Sequence, residues 1–326
     1  MDWKQISERV LAGEQMAPDE ALRCLQAPDD ELLALLDAAF NVRRRYFNRG
    51  VRLHVIRNAR SGNCSEDCAY CSQAASVKGG APHYPWQSRE EIIEGAREAR
   101  RMGAFRYCMV SSGRAPSDAD ILYICETVRA LKAEVPIQAC VSLGLLTLKH
   151  ARQLKSARVN RYHHNLETSE RFFPDICTTH TYADRIATVT AVKAAGLELC
   201  CGGLLGLGET LKDRVALALA VRNTDAGSIP VNFFDPRPGT RFENHLRIKP
   251  ADALRALAMF RFVNPAKEIC VAGGREACLG PMQVLSLFVA NSMFTNGYLT
   301  TEGQGYKADL AMINSAGFHV DEVTHA

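Results

Sequence analysis

The chain has 326 residues, 47% of them hydrophobic, and its 39 Lys and Arg against 36 Asp and Glu leave a net charge of +3. That is enough apolar material for two ordinary domains or one large barrel, and too little positive charge to mark a nucleic-acid surface. No run of about 18 apolar residues suggests a helical membrane span, and the opening MDWKQISERVLAGEQ has no apolar run like that of an export signal.

A cytoplasmic location is therefore expected. The twelve cysteines then sit in a reducing compartment, where clustered thiols bind metals or do redox chemistry rather than form disulfides. Residues 1–50 read as a helical extension, with Pro18-Asp19 and Pro28-Asp29-Asp30 as helix starts and ELLALLDAAFNVRRRYF carrying helical apolar spacing. From residue 51 to about 305, eight short apolar runs alternate with helical segments. The runs are LHVIRNA, FRYCMVSS, IQACVSLG, RYHHNLET, LELCCGGLLG, SIPVNFF, EICVAGG and SMFTN. Segments such as SREEIIEGAREARRMG, DADILYICETVRALK, TYADRIATVTAVKAAG and KPADALRALAMFRFV lie between them, several opening after Ser, Thr or Asp or ending in Gly. Eight alternations predict an α/β fold with a parallel sheet, and eight strands close a (βα)8 TIM-type barrel; an open doubly wound sheet is the alternative. Residues 306–326 are expected to be a C-terminal tail, its end GFHVDEVTHA polar and loosely ordered.

Successive strand residues point to opposite faces, so each run splits into two sets. In IQACVSLG, Ile137, Ala139, Val141 and Leu143 oppose Gln138, Cys140 and Ser142. In LELCCGG, Leu197, Leu199 and Cys201 oppose Glu198, Cys200 and Gly202; Ile229, Val231 and Phe233 oppose Ser228, Pro230 and Asn232. In EICVAGG, Ile269 and Val271 oppose Glu268, Cys270 and Ala272. The apolar sets should face the helices and the polar sets the lumen, where barrels of this kind ordinarily carry branched aliphatics. Four lumenal cysteines follow: Cys108, Cys140, Cys200 and Cys270, with FRYCMVSS splitting least cleanly. Any one of them alone reads as a packed thiol, but four in one chamber point to an iron–sulfur cluster or to zinc held by four thiolates. Cys24, Cys125 and Cys177 stand alone and are expected to be small buried hydrophobes.

NCSEDCAYC follows the first strand and places Cys64, Cys68 and Cys71 at the C-terminal mouth of such a barrel. Three cysteines leave a tetrahedral site one ligand short; His83 is the nearest candidate for a structural zinc. C-x3-C-x2-C with Tyr70 before the last cysteine, after the first strand of a barrel, resembles the radical S-adenosylmethionine (SAM) superfamily. There three cysteines hold a four-iron cluster whose open iron takes SAM. NCSEDCAYCSQ, RYHHNLETS, TTHTYADRI, CGGLLGLGET, SIPVNF and AGGRE are, in this order, similar to the biotin synthase family from about residue 50 to about residue 305.

The resemblance implies a reaction in which SAM is cleaved to methionine and a 5′-deoxyadenosyl radical. The radical takes hydrogen from two saturated carbons of dethiobiotin, and sulfur is inserted between them. Unactivated C–H bonds offer no acidic proton, so a cofactor must carry the chemistry. The resemblance assigns Cys64, Cys68 and Cys71 to the SAM cluster, Tyr70, Asn165, Glu167, Arg185, Gly202 and Gly203 to cofactor contacts, and His163, Asn165 and Asn232 to the substrate. On composition alone, an arginine in TYADRIATV would be an exposed helix residue. An electron donor such as flavodoxin or ferredoxin and a homodimer are also implied.

The family's familiar auxiliary cluster is a two-iron type held by three cysteines and an arginine. The cysteines match Cys108, Cys140 and Cys200. The arginine position, six residues before the glutamate of GGRE, is Cys270 in this chain. An all-cysteine auxiliary cluster is the expectation, either a four-iron type with an additional transferable sulfide or a two-iron type with four thiolates. Cys278 is expected to be packed and Cys201 to face the helices. His163 and Glu167 replace an asparagine and an aspartate of the family pattern, and His164, of opposite parity to His163, is expected to be a core histidine. The nearest competing readings are radical SAM barrels of the hydrogenase-maturation or methylornithine-synthase type, and a non-enzymatic zinc or cluster protein.

Overall fold

The computed structural model describes residues 1–77 and 80–321. Three helices come first: α1 (Trp3–Leu11), α2 (Pro18–Leu25) and α3 (Leu32–Phe47). Pro18 occupies the first helical position of α2, where its missing N–H costs nothing. A short 3-10 turn at Asp29–Glu31 leads into α3.

The strand–helix alternation then runs β1 (Gly50–Arg60), α4 (Arg89–Arg101), β2 (Arg106–Ser111), α5 (Asp118–Glu134), β3 (Gln138–Ser142), α6 (Leu148–Ser156) and β4 (Arg161–His163). It continues with α7 (Phe173–Ile176), α8 (Tyr182–Ala194), β5 (Glu198–Cys200), β6 (Gly203–Leu205), α9 (Leu211–Thr224) and β7 (Ser228–Phe233). It ends with α10 (Pro250–Val263), β8 (Glu268–Val271), α11 (Arg275–Leu279), β9 (Ser292–Phe294), α12 (Tyr306–Ser315) and β10 (His319–Val320). Four of the barrel helices start by one chemical device. Ser88, Ser117, Thr181 and Thr210 each accept from the third helical N–H, and Glu91, Asp120, Asp184 and Asp213 return the bond to the cap, satisfying two otherwise orphaned donors.

All strand pairings are parallel, and β1 pairs with both β2 and β9, which closes the barrel. The eight expected strands are present, with LELCCGGLLG divided into β5 and β6. The break falls at Gly202, where a Cβ would lie 1.9 Å from the Pro230 carbonyl oxygen, so the backbone presses on β7 there.

The tail differs from expectation. Phe318 is buried against Phe40 and Phe288, and β10 adds in parallel outside β1, Gly50 opposite His319. The alternation Phe318–His319–Val320 is a short strand pattern that the polar surroundings obscure. Residues 322–326 lie outside the described residues.

The parity split holds. Ala139, Val141, Leu199, Cys201, Val231, Phe233, Ile269 and Val271 belong to the continuous core under the helices, whereas Cys108, Cys140, Cys200 and Cys270 lie outside it. The barrel floor is charged. Glu268, 3% exposed, meets Arg161 at 2.9 Å, Arg52 at 3.0 Å, and Arg106 and His54 at 3.5 Å each, and Ser228 Oγ donates to it at 2.7 Å. Burial alone would raise its pKa; Arg161 and Arg106 outweigh burial and hold it well below the ordinary value. Burial pushes His54 down to about 3, leaving it neutral, able to accept from Arg106 at 3.2 Å.

Glu268→Gln strands these guanidinium groups and should cost about 3–5 kcal/mol in urea melts. The carboxylate's pKa is lowered in the folded chain, so its contribution is complete above 4.5, the ordinary value, and lost as pH falls below it. The gap between wild type and variant should be constant at higher pH and begin to narrow only there. An unchanged midpoint in the variant would remove the floor from the account.

Candidate functional site

The loop after β1 is shaped by its own backbone before any metal enters. Gly62 and Asn63 take positive φ angles of 75° and 51°, and Gln73 Oε1 accepts from Gly62 N–H and Ser61 Oγ, both at 3.1 Å. Cys64 N–H donates to Gln73 O at 3.0 Å, and Cys71 N–H to Cys68 O at 3.0 Å. The loop is moored to the segment after α7: Asp67 accepts from the Thr178 and Thr179 N–H groups at 2.9 and 3.3 Å, and Ala69 N–H donates to Ile176 O at 2.8 Å. Cys64, Cys68 and Cys71 are half-buried and line the mouth of one cavity of about 410 Å³ in the barrel. Burial pushes the Cys71 thiol up to about 11. His83 is exposed and off the cavity wall, so it does not complete a zinc site.

Along one side of this cavity stand Asn165, Glu167 and Arg185. Arg185 Nη1 donates to Asn165 O at 2.9 Å and lies 3.5 Å from Glu167 Oε1, and its guanidinium packs 5.4 Å from the centre of the Phe173 ring. It is 7% exposed, not the surface residue that composition suggests. Glu167 takes a φ of 69°. Asn165 Oδ1 accepts from Gly202 N–H at 3.0 Å, which turns its amide toward Glu167. Tyr70 lines the same cavity, its hydroxyl pKa raised by burial.

Gly202 and Gly203 are not among the cavity-lining residues. A Cβ on Gly203 would lie 2.5 Å from Glu167 O, so close passage of β6 past that backbone, rather than approach to a ligand, requires glycine. Conversely, His164 is buried at 5% exposure as expected, yet it lines the cavity and its Nε2 has no partner. The unpartnered nitrogen was not legible, because parity assigned the ring to the core. Ser111 Oγ and Arg185 Nε are also buried, unpartnered and on residues lining the cavity. Orphaned polar atoms are costly, and together with a carboxylate and an amide they fit the ribose, amine and carboxylate of SAM.

Deeper in the barrel are the four strand cysteines. Cys108 and Cys140 are opposite each other on β2 and β3. Cys200 pairs with His163 across β4–β5 and Cys270 with Pro230 across β7–β8; all four are buried. The hydrogen bond with Cys140, then burial, raises the Cys108 thiol, and burial raises Cys200 and Cys270. Charge on Cys140 and Cys200 opposes ionisation of Cys108, and charge on Cys200 opposes that of Cys270. Cys108, Cys200 and Cys270, which resist becoming anionic, fit a cationic iron–sulfur core that reverses that cost. Arg275, in contrast, pairs with Asp309 at 2.7 Å away from the lumen.

His163 lines the cavity above these cysteines, its Nδ1 3.3 Å from Cys200 Sγ, so the sulfur shares it with any substrate. Asn232 also lines the cavity, donating to Gly203 O at 3.1 Å and accepting from Gly273 N–H at 2.9 Å. Cys278 is packed, its sulfur 3.4 Å from Phe234 O, and Cys24 and Cys125 lie in the core. Cys177 is buried as expected, but its sulfur stands 3.9 Å from Cys68 Sγ.

Among the described residues, no helix is long and apolar enough to cross a membrane. Residues 59–221 match the radical SAM superfamily, and residues 230–319 match the biotin and thiamin synthesis associated domain. The chain is 49% identical to biotin synthase of Salinibacter ruber over 97% of its own length and 88% of that protein. It is 44% identical to biotin synthase of Lysinibacillus sphaericus over 98% and 97%. Among solved structures, methylornithine synthase superposes with a TM-score of 0.86 at 19% identity, covering 98% of both chains. The hydrogenase maturase HydG of Carboxydothermus hydrogenoformans gives 0.83 at 20%, over 98% of this chain and 79% of that one. These two structures share the barrel, and with sequence relatives at 44–49% identity over nearly its whole length the protein belongs to the biotin synthase family of radical SAM enzymes.

Proposed function

We propose that this chain converts dethiobiotin to biotin, with Cys64, Cys68 and Cys71 holding a SAM-binding four-iron cluster and Cys108, Cys140, Cys200 and Cys270 holding an auxiliary cluster that is the sulfur source. The observation that carries this reading is the presence of two cysteine sets in one barrel: three lining the cavity, and four buried on strands outside the core under the helices, of which Cys108 lines the same cavity. When bound, SAM and its cluster supply a 5′-deoxyadenosyl radical, able to take hydrogen from unactivated carbon.

The chain's own residues supply placement. Arg185 offers a fixed cation for a carboxylate, and Glu167, held beside it, offers acceptors to ribose hydroxyls. The His164 Nε2 and Ser111 Oγ without partners take further polar groups of the cofactor. Asn232 and His163 face the space between the two cysteine sets, where the substrate must sit to be near both radical and sulfur. The enclosing barrel excludes water that would quench a reactive intermediate. An electron donor such as flavodoxin or ferredoxin, a homodimeric state and a cytoplasmic setting go with this reading.

Cys270 decides the character of the auxiliary site. A fourth thiolate in place of an arginine adds negative charge and favours a four-iron core, for a total of about eight irons per chain. Anaerobic reconstitution should give that count in wild type and a lower one in Cys270→Arg, with biotin formed from SAM, reductant and dethiobiotin in wild type. About six irons would instead indicate a two-iron auxiliary cluster. SAM cleavage without biotin would overturn the substrate.

Arg185→Leu should weaken SAM binding about 10–100-fold, the worth of a charge-assisted hydrogen bond, while leaving the iron count unchanged. Equilibrium binding to the reconstituted, unreduced protein measures this. Wild-type affinity in the variant would remove Arg185 from the cofactor site.

A further inference from the structure

Beside the cluster loop lies a donor set of which only Cys68 has a part in the proposed reaction. Cys177, between α7 and α8, is 2% exposed. Its sulfur is 3.9 Å from Cys68 Sγ and 3.2 Å from His180 Nδ1. The two sulfurs and a His180 ring nitrogen all lie within 4.8 Å of one another. Two thiolates bound to one zinc at about 2.3 Å in a tetrahedron stand ~3.8 Å apart, so the observed sulfur separation is that of two corners of such a site.

The supporting groups are also in place. Glu66, 7% exposed, hydrogen-bonds His180 Nδ1 and leaves Nε2, 4.0 Å from Cys177 Sγ, as the nitrogen for a metal, the relation by which carboxylates orient metal-binding imidazoles. The bonds from Asp67 to the Thr178 and Thr179 N–H groups, and from Ala69 to Ile176, lock the two donor-bearing segments together. The Phe173 and Tyr182 rings, in edge contact, wall the pocket beside His180.

We propose that, in the chain lacking its loop cluster, Cys68, Cys177 and His180 bind one tetrahedral divalent ion of the zinc type, with Glu66 orienting the imidazole and water in the fourth position. The ion takes both sulfurs as thiolates and the imidazole neutral, any protons they carried pass to solvent, and no electron moves. Since Cys68 also belongs to the cluster loop, ion and cluster exclude each other, and the ion holds the loop in order until iron and sulfide arrive. That consequence rests on the cluster reading of the loop; the binding itself does not.

Cobalt(II) is the probe, because thiolate coordination gives it charge-transfer bands and tetrahedral geometry gives it strong visible bands. Cluster-free protein would be titrated anaerobically in two backgrounds, Cys64→Ser/Cys71→Ser and the same with Cys177→Ala. The lumenal cysteines are common to both and cancel in the difference. The expected result is one cobalt equivalent, with its thiolate bands, lost on adding Cys177→Ala, and altered visible bands in Cys64→Ser/Cys71→Ser/His180→Gln. Equal uptake with equal spectra in the two backgrounds would overturn the site, as would unaltered bands in the His180 variant. Cys177→Val, which fills the space, replaces Cys177→Ala should the alanine chain fail to fold.

In otherwise wild-type protein, one zinc equivalent added before iron and sulfide should slow assembly of the loop cluster, and slow it less in Cys177→Val. Site-specific cobalt binding without any such delay would sustain the metal site and sink the assignment of Cys68 to the cluster.

Discussion

Everything in the lumen depends on the buried carboxylate of Glu268. Its oxygens meet Arg161, Arg52, Arg106 and His54 at 2.9–3.5 Å, and together these side chains form the floor of the barrel. Aliphatic layers would pack the same space at least as stably, since desolvating charges costs about as much as pairing them returns. The ion network does something that a hydrocarbon floor does not. Arg52, Arg106, Arg161 and a neutral His54 face Glu268, Glu198 and Asp321, which keeps cations and carboxylates together in a space that hydrocarbon would otherwise fill. Arg161 acts to lower the pKa values of Cys200 and Cys270, and Arg106 those of Cys108 and Cys200. Glu268 acts the other way on Cys200 and Cys270, so the guanidinium groups offset part of the cost of ionising the thiols without reversing it.

The two cysteine sets are held in different ways, and the difference matches their proposed tasks. Cys108, Cys140, Cys200 and Cys270 are residues of paired strands, fixed by ladder hydrogen bonds on both sides. Cys64, Cys68 and Cys71 ride on a loop that is secured by side chains and by the 176–179 segment. Bonds of that kind open more readily than a sheet. A loop able to open locally suits a site that exchanges SAM for its products at every turnover, whereas a buried lumenal set suits a sulfur reservoir shielded from water.

Strand parity explains why much of this was legible in the sequence. In IQACVSLG and EICVAGG the alternation is strict, so Cys140 and Cys270 fell on the lumen side, and Cys201 could be separated from its neighbour Cys200. Parity works only where a residue lies on a regular strand. His164 lies just past the end of β4, where the alternation lapses, and its ring reaches the cavity although parity sent it to the core. Gly202 and Gly203 read as ligand-binding glycines because sequence does not reveal that Pro230 and Glu167 backbone presses against them. Phe318 was hidden in a polar tail because its partners, Phe40 and Phe288, are remote in sequence. Cys177 looked solitary for the same reason. Its partner Cys68 is over a hundred residues away, at |i−j| = 109, and only C-x2-H with His180 hinted at a metal.

Asn232 shows how such backbone contacts become specificity. An amide side chain has two N–H donors and two acceptor lone pairs. Gly203 O takes one donor and Gly273 N–H takes one lone pair, which fixes which end of the amide is which. What remains is one N–H and one lone pair on a residue of the cavity wall. A ureido ring presents a carbonyl next to an N–H and satisfies both in a single orientation. An aliphatic carboxylate satisfies only the donor and leaves the buried acceptor unpaired, a loss of about 1–3 kcal/mol. The glycine backbone that runs β6 beside β7 thereby orients the amide, so under the proposed function close packing and substrate placement would share one structural cause.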